Sequence, residues 1–310
     1  GRRCHDHVAR PGSPATKNLE RLARLSPSSM YHFLARATSV SVIFDHAHRF
    51  QIPKIAGIVF PPFYEGGQPK DCEFMALALD GGAGGISYLL LPESSADSYR
   101  ALDPQSFIGT HPEQYLETFD GTDPVQNMLG LASINAICQH VMRISNSIPE
   151  EGTDSLGLMN IEDGDRVGMV GFFPPLLKYM NNRNAELIIV EKSKQLVDLH
   201  PNLHVTLDVS ELNRCNKVLC TSTALLNDTL DEVLQHCTTA QHISVLGPTA
   251  GYFPDPLFAR GVHVLGGRFV NDGMLLLKLI AERKRWGAAT QKLCFSSSDY
   301  DGLDNLQAIK

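Results

Sequence analysis

From Asp165 to Arg285 the chain alternates short, β-branched apolar runs with segments of helical spacing, and no other feature constrains its fold as strongly. The runs Arg166–Val170, Leu187–Val190, Lys217–Thr221, His242–Leu246 and Val262–Leu265 have the length of buried strands. Leu176–Asn182, Leu226–His236, Pro256–Arg260 and Asp272–Arg285 separate or follow them with helical periodicity. Strands joined through helices cannot pair by tight hairpins; they build a parallel sheet with helices on both faces. The expectation is an α/β unit with a Rossmann-like, doubly wound parallel sheet, whose ligands sit beyond the carboxyl ends of its strands.

The first half reads differently. Lys17 to Ala37 has mostly helical spacing, interrupted at Ser26-Pro27, and Ser39–Phe44 and Ile55–Phe60 are short apolar strands. Glu73–Asp80 and Ile86–Leu91 flank Gly81-Gly82-Ala83-Gly84-Gly85, which predicts a hairpin with a flexible connection. Asp123 before Pro124 is an N-cap followed by a proline at the first helical position, and Met128, Leu131, Ala132, Ile134, Asn135, Cys138 and Val141 continue as a helical stripe to Ser145. Strands followed by helix make an α+β unit. The polar segment Ile148–Asp154 predicts the boundary, giving a loose tail over 1–16, an α+β domain over 17–150, and the α/β domain over 151–310 with a polar extension after Trp286.

Composition narrows the function. A length of 310 residues suits two domains. Lys plus Arg number 27 against 34 Asp plus Glu, a formal charge of −7, the wrong sign for a protein whose main partner is nucleic acid. No apolar run approaches the roughly 20 residues that span a bilayer, and the residues after Arg2-Arg3 contain no apolar signal region. A cytoplasmic protein is expected. Seven cysteines without a Cys-x-x-Cys pair argue against a disulfide framework or a structural zinc site.

Several residues could carry chemistry. In Val167-Gly168-Met169-Val170-Gly171-Phe172-Phe173-Pro174-Pro175 a strand runs into a helix start; Gly171 would let backbone approach a ligand and Pro174 suits the first helical turn. The run is not Gly-x-Gly-x-x-Gly, so a dinucleotide lacks its usual cradle, and a tight turn without a ligand is the plain alternative. Glu191, ending the second strand, could accept both hydroxyls of a ribose or stand as an exposed carboxylate. Thr221, Ser222 and Asn227 after the third strand, and Gly247, Pro248 and Thr249 after the fourth, offer hydroxyls, amides and backbone donors to a polar ligand, or cap helices. Gly266-Gly267 would supply another close approach. Cys220 at a strand end reads as a core residue rather than a nucleophile. His46 with His48 lacks a third ligand, and Cys4-His5-Asp6-His7 has suitable ligand types but lies in the loose tail, too short to be pre-organised, so adventitious metal binding is the expectation there. Arg283, Lys284 and Arg285 suit a helix C-terminus, with a phosphate site as the weaker reading.

These segments together resemble the family known as putative heavy-metal chelation. The match rests on Leu131-Ala132-Ser133-Ile134-Asn135-Ala136, Val170-Gly171-Phe172-Phe173-Pro174, Val190-Glu191, the run Thr221 to Leu230, Leu246-Gly247-Pro248-Thr249-Ala250 and Gly261 to Gly267. The resemblance implies an enolase N-terminal-like domain followed by a Rossmann-like domain partly similar to methyltransferases. It also implies an inter-domain site that processes or binds a metal-chelating small molecule of pterin, flavin or siderophore kind. It fixes no cofactor; S-adenosylmethionine or another adenosyl or nucleotide ligand is one candidate. A transferase, condensing enzyme or hydrolase fits, and so does a non-catalytic protein that holds a metal complex; self-association stays open. Carried over, the ligand-binding residues are Asn135, Gly171, Pro174, Glu191, Thr221, Ser222, Asn227, Gly247, Pro248 and Thr249, with no metal ligands and no catalytic residue assigned. Where glycine is common after the asparagine of the Asn-x-Thr motif, this chain has Asp228.

Overall fold

A computed structural model describes residues 51–149, 151, 156, 158–192 and 202–303. The expected tail, the helical entry, the strand at 39–44 and both histidine-containing motifs before residue 50 lie outside the described residues. The first unit is a three-stranded antiparallel sheet in the order β1 (Ile55–Val59), β2 (Phe74–Leu79), β3 (Gly84–Tyr88), followed by the short helix α1 (Ala96–Arg100) and the long helix α2 (Pro124–Ile144). The expected start of α2 is present: the Asp123 carboxylate accepts from the N–H groups of Val125 at 2.8 Å and Gln126 at 3.3 Å. The glycine-rich connection is shorter than the sequence suggests. Gly81 and Gly82 take the turn with φ of +91° and +89°, whereas Gly84 and Gly85 lie inside β3. A Cβ on Gly85 would stand 1.8 Å from the carbonyl oxygen of Ala132 on α2, so this glycine lets helix and strand backbones touch.

The second unit is a seven-stranded sheet. Its strands are β4 (Arg166–Val170), β5 (Glu186–Val190), β6 (His204–Thr206), β7 (Lys217–Thr221), β8 (His242–Leu246), β9 (Val264–Val270) and β10 (Thr290–Ser296). Between them come α3 (Pro174–Met180), α4 (Leu230–Gln235), α5 (Asp255–Phe258) and α6 (Gly273–Ala281). The spatial order is β10-β9-β8-β7-β4-β5-β6, parallel from β6 to β9. The first parallel strand, β4, thus lies between β5 and β7, and the chain winds away from it in both directions; this reversal leaves a crevice at the carboxyl ends.

Two expectations for this sheet are corrected. The segment after Trp286 is not only a polar extension, because β10 pairs antiparallel with β9 from Thr290↔Val270 to Ser296↔Val264. Thr290, Leu293 and Phe295 are its buried positions. Gly266-Gly267 does not follow the strand but lies within β9. A Cβ on Gly267 would meet the Ala250 carbonyl oxygen at 1.9 Å, so the close approach is to the protein's own backbone rather than to a ligand.

The two sheets share their packing. Helix α2 covers one face of the three-stranded sheet and α6, from the second half of the chain, covers the other. Ala76, Ala78 and Ile86 meet Leu276, Leu277 and Ile280 there. Along α2 the polar residues Asn135, Gln139 and Arg143 recur every four positions, hence on one helical face, and bond across to the second unit. Gln139 donates to the Arg268 carbonyl at 2.9 Å and accepts from the Val270 N–H at 2.7 Å. Arg143 donates to the carbonyls of Val270 and Asn271 and lies over the Phe269 ring.

At the opposite end of the sheet His242 and His263 stack with ring centroids 5.5 Å apart. His263 Nδ1 accepts from the Ile243 N–H at 3.1 Å. Burial, then the neighbouring His242, holds His263 below the ordinary imidazole range; burial, partly opposed by a bond to the Gln51 carbonyl, does the same for His140. Both groups bind a proton more readily when unfolded, so their stability contribution is complete above the ordinary value of about 6.5 and drains away as pH falls below it. Thermal melts are expected to show a falling midpoint between pH 7 and pH 5. A His263→Gln variant should flatten that slope, and an unchanged slope would remove His263 from the explanation.

Candidate functional site

The crevice at the chain reversal is a cleft of about 450 Å³. Its wall is built from strand ends: Val170 closing β4 and Gly171 after it, Val190 closing β5 with Glu191 and Lys192 after it, and Thr221 closing β7. The turn Thr223 to Thr229 and Glu232 on α4 close the opposite side, and Leu90 from the first unit forms part of the rim. Leu90 and Leu207 are apolar yet 36% and 53% exposed, a surface that a bound molecule would cover.

Four of the ten expected residues meet in this cleft: Gly171, Glu191, Thr221 and Asn227. Gly171 has φ +82°, a conformation that favours glycine, and an added Cβ would press on the Thr221 side chain at 3.0 Å. Its N–H donates to the Val190 carbonyl at 3.2 Å, and that of Gly247 to the Gly266 carbonyl at 2.9 Å. The expected backbone donors are therefore spent inside the protein; Gly171 gives the cleft a bare backbone surface instead. Thr221 also caps the short 3-10 turn Ser222–Ala224, accepting from the Thr223 N–H at 3.3 Å. In the Asn-x-Thr motif, the Thr229 hydroxyl donates to the Asn227 side-chain oxygen. Asp228 between them is exposed with φ +57°, left-handed backbone that favours glycine and that a short polar side chain tolerates.

The other six lie off the lining. Asn135 is buried; its amide nitrogen donates to the carbonyls of Ile86 and Thr249, each at 2.8 Å, and its oxygen accepts from the Gly251 N–H at 3.1 Å. The Ser222 and Thr249 hydroxyls bond to each other at 2.7 Å, both buried. Gly247 packs against Ser222, half-buried Pro248 follows it, and Pro174 sits exposed at the start of α3. Together Asn135, Thr249 and Ser222 tie α2 to the turn behind the cleft wall.

Sequence reasoning missed Lys192 and Glu232. Lys192 reaches the Asn227 carbonyl at 3.5 Å. Burial pulls its ammonium below the ordinary lysine range, against the raising influence of Glu232 and Asp228. The only hint was its place beside Glu191. Cys220 behaves as a core residue: it is fully buried and its thiol is pushed far above the ordinary value by that burial and by Cys237. Burial likewise raises Cys215 to about 11 and Cys237 to about 12, as for inert core thiols. Among the described residues no three His, Cys, Asp or Glu side chains are grouped so as to hold a metal ion, and no helix is long and apolar enough to cross a membrane.

The fold and cleft define an α/β protein with a crevice at its strand ends and a small antiparallel unit beside it. Residues 154–297 match the family described as "Putative heavy-metal chelation", the one the sequence motifs resemble. An uncharacterized protein of Methanocaldococcus jannaschii is 26% identical over 190 residues, 60% of this chain and 71% of its own. Among solved structures, a protein of unknown function from the same family in Pyrococcus horikoshii superposes with a TM-score of 0.62 at 17% identity, over 86% of this chain and 99% of that one. A second, from Desulfitobacterium hafniense, gives 0.60 at 17% identity over 91% and 98%. At such identity the likeness concerns the fold.

Proposed function

We propose that the cleft beyond β4, β5 and β7 binds a small organic ligand carrying a diol and an anionic group, and that through it the protein handles a metal-chelating compound. The observation that carries the reading is the convergence of Gly171, Glu191, Thr221 and Asn227 on one cleft at the chain reversal. Its volume, about 450 Å³, falls within the range of small-molecule sites. Glu191 would accept the diol, of a ribose in an adenosyl or nucleotide ligand; Lys192 would face the anionic group; Thr221 and Asn227 would orient polar edges. Leu90 and Leu207 would cover an apolar face such as a pterin or flavin ring. Asn135, Ser222, Gly247, Pro248 and Thr249 act in this reading as support behind the wall, and Pro174 as a helix start. An organic ligand suits this wall better than a bare ion, because its donors are of mixed sign and type rather than a converging ligand set. What the cleft supplies chemically is position and electrostatic complementarity.

The test is a thermal-shift screen of wild type and Glu191→Ala with S-adenosylmethionine, nucleotides, pterins, flavins and divalent metals. A ligand at one hundred times its Kd adds about 2.7 kcal/mol. The expected result is stabilisation of the wild type by an organic ligand and at least tenfold weaker binding by Glu191→Ala. Shifts from metal ions alone, equal in both proteins, would instead make the chain a direct metal binder and remove the diol role.

A further inference from the structure

A second cleft, of about 610 Å³, lies where the start of β2 meets the segment that follows α6. Its composition is opposite to that of the whole chain. Five cations line it, Lys70, Arg268, Arg283, Lys284 and Arg285, against the carboxylates of Asp71 and Glu73, in a protein of formal charge −7. Two of the five are engaged: Lys284 pairs with Glu282 at 2.7 Å, and Arg283 donates to the Tyr64 hydroxyl at 2.5 Å. Lys70 and Arg285 are exposed and have no ion pair or side-chain hydrogen bond among the described residues. Arg268 lies 6.0 Å over the Trp286 ring, and its backbone is held by the bond from Gln139 to its carbonyl at 2.9 Å. Its guanidinium is thus pre-placed at the cleft rather than spent on a carboxylate.

The same cleft has an aromatic floor. Trp286 is half-buried and meets Phe74 edge to face at 5.6 Å, and Phe74 meets Tyr88 in the same way at 5.2 Å. Unpaired cations beside a ring that is only partly covered form a combined surface: the ring offers a face for stacking, and the guanidinium groups offer paired donors to phosphate or carboxylate oxygens. Either half alone would be an ordinary surface. Side by side in one concavity, in an otherwise acidic chain, they select a ligand that has both parts.

We propose that this cleft is a second binding site, separate from the strand-end crevice, that takes an aromatic polyanion: a planar ring bearing phosphate or carboxylate groups. Trp286 would stack on the ring, and Lys70, Arg268 and Arg285 would hold the anionic part.

Trp286 is the chain's one tryptophan, so tryptophan emission of the intact protein reads this cleft directly. The probes are ATP, pyrophosphate and adenosine, titrated into wild type, Glu191→Ala and the double variant Lys70→Gln with Arg285→Gln, whose exposed positions leave folding intact. The expected result is a saturable emission change with ATP, at least tenfold weaker binding of ATP by the double variant, and no loss in Glu191→Ala. Pyrophosphate and adenosine should each bind at least tenfold more weakly than ATP. No saturable change with ATP, or equal affinity in the double variant, overturns the site. Pyrophosphate matching ATP overturns the aromatic half of the proposal, and loss of the ATP response in Glu191→Ala would return the signal to the first cleft.

Discussion

Gly85→Ala is expected to lower the unfolding free energy by about 3 kcal/mol or more, at or beyond the upper end of the usual cost of overpacking. The added Cβ would stand 1.8 Å from the Ala132 carbonyl oxygen and 2.7 Å from the Ala136 nitrogen. Both obstacles are backbone atoms in the middle of a 21-residue helix, so no side-chain rotation relieves them. Either β3 or α2 must move, and α2 also carries the three polar residues that bond to the second unit. Against a total stability of about 5–15 kcal/mol that loss is a large fraction. Gly287→Ala is the control: nothing lies within 4 Å of its added Cβ and its backbone needs no positive φ, so its effect should stay within about 0.5 kcal/mol. Denaturant midpoints of the two variants decide the matter; similar midpoints would mean that α2 and β3 do not touch through this glycine.

Glycines 85 and 267 also show where reading a sequence stops. The glycine-rich run predicts a flexible connection, and only the part with positive φ serves as one. The rest exists because another backbone comes within contact distance, and nothing local announces which backbone that is. Periodicity succeeded where an element's neighbours are uniform: β4, β5, β7 and β8 are buried strands, and their apolar runs fall within a residue of the observed bounds. It failed for β10, which pairs with a single neighbour and mixes Gln291 and Lys292 with Leu293 and Phe295, so no continuous apolar run marks it. The cleft was legible in the same uneven way. Topology alone puts residues at strand ends beside such a crevice, and Gly171, Glu191 and Thr221 stand there in the lining, whereas Asn227, six residues past β7, came from the family resemblance. Glu232 could not be placed by topology, because it reaches the cleft from a helix whose rotation depends on packing.

Asn135 carries the same lesson to an energetic conclusion. A polar residue within an apolar helical stripe implies a partner, but not whether that partner is a ligand or the protein itself. Here its amide bonds to three backbone groups, the carbonyls of Ile86 and Thr249 and the N–H of Gly251, in a buried setting. Asn135→Ala strands those groups, and at about 1–3 kcal/mol for each buried unsatisfied group a loss of about 3 kcal/mol or more is expected. Asn135→Asp should be at least as damaging despite its shape, since it turns a carboxylate oxygen toward two carbonyl oxygens where an N–H₂ had donated. The two roles separate in one experiment, a melt with and without the ligand that stabilises the wild type. Support behind the wall predicts a lower melting point in the absence of ligand and an undiminished increment on adding it, because the chain of bonds through Thr249 and Ser222 ends at buried hydroxyls off the cleft lining. Direct ligand contact predicts the reverse, a baseline close to wild type and a lost increment, and that result would return Asn135 to the binding site.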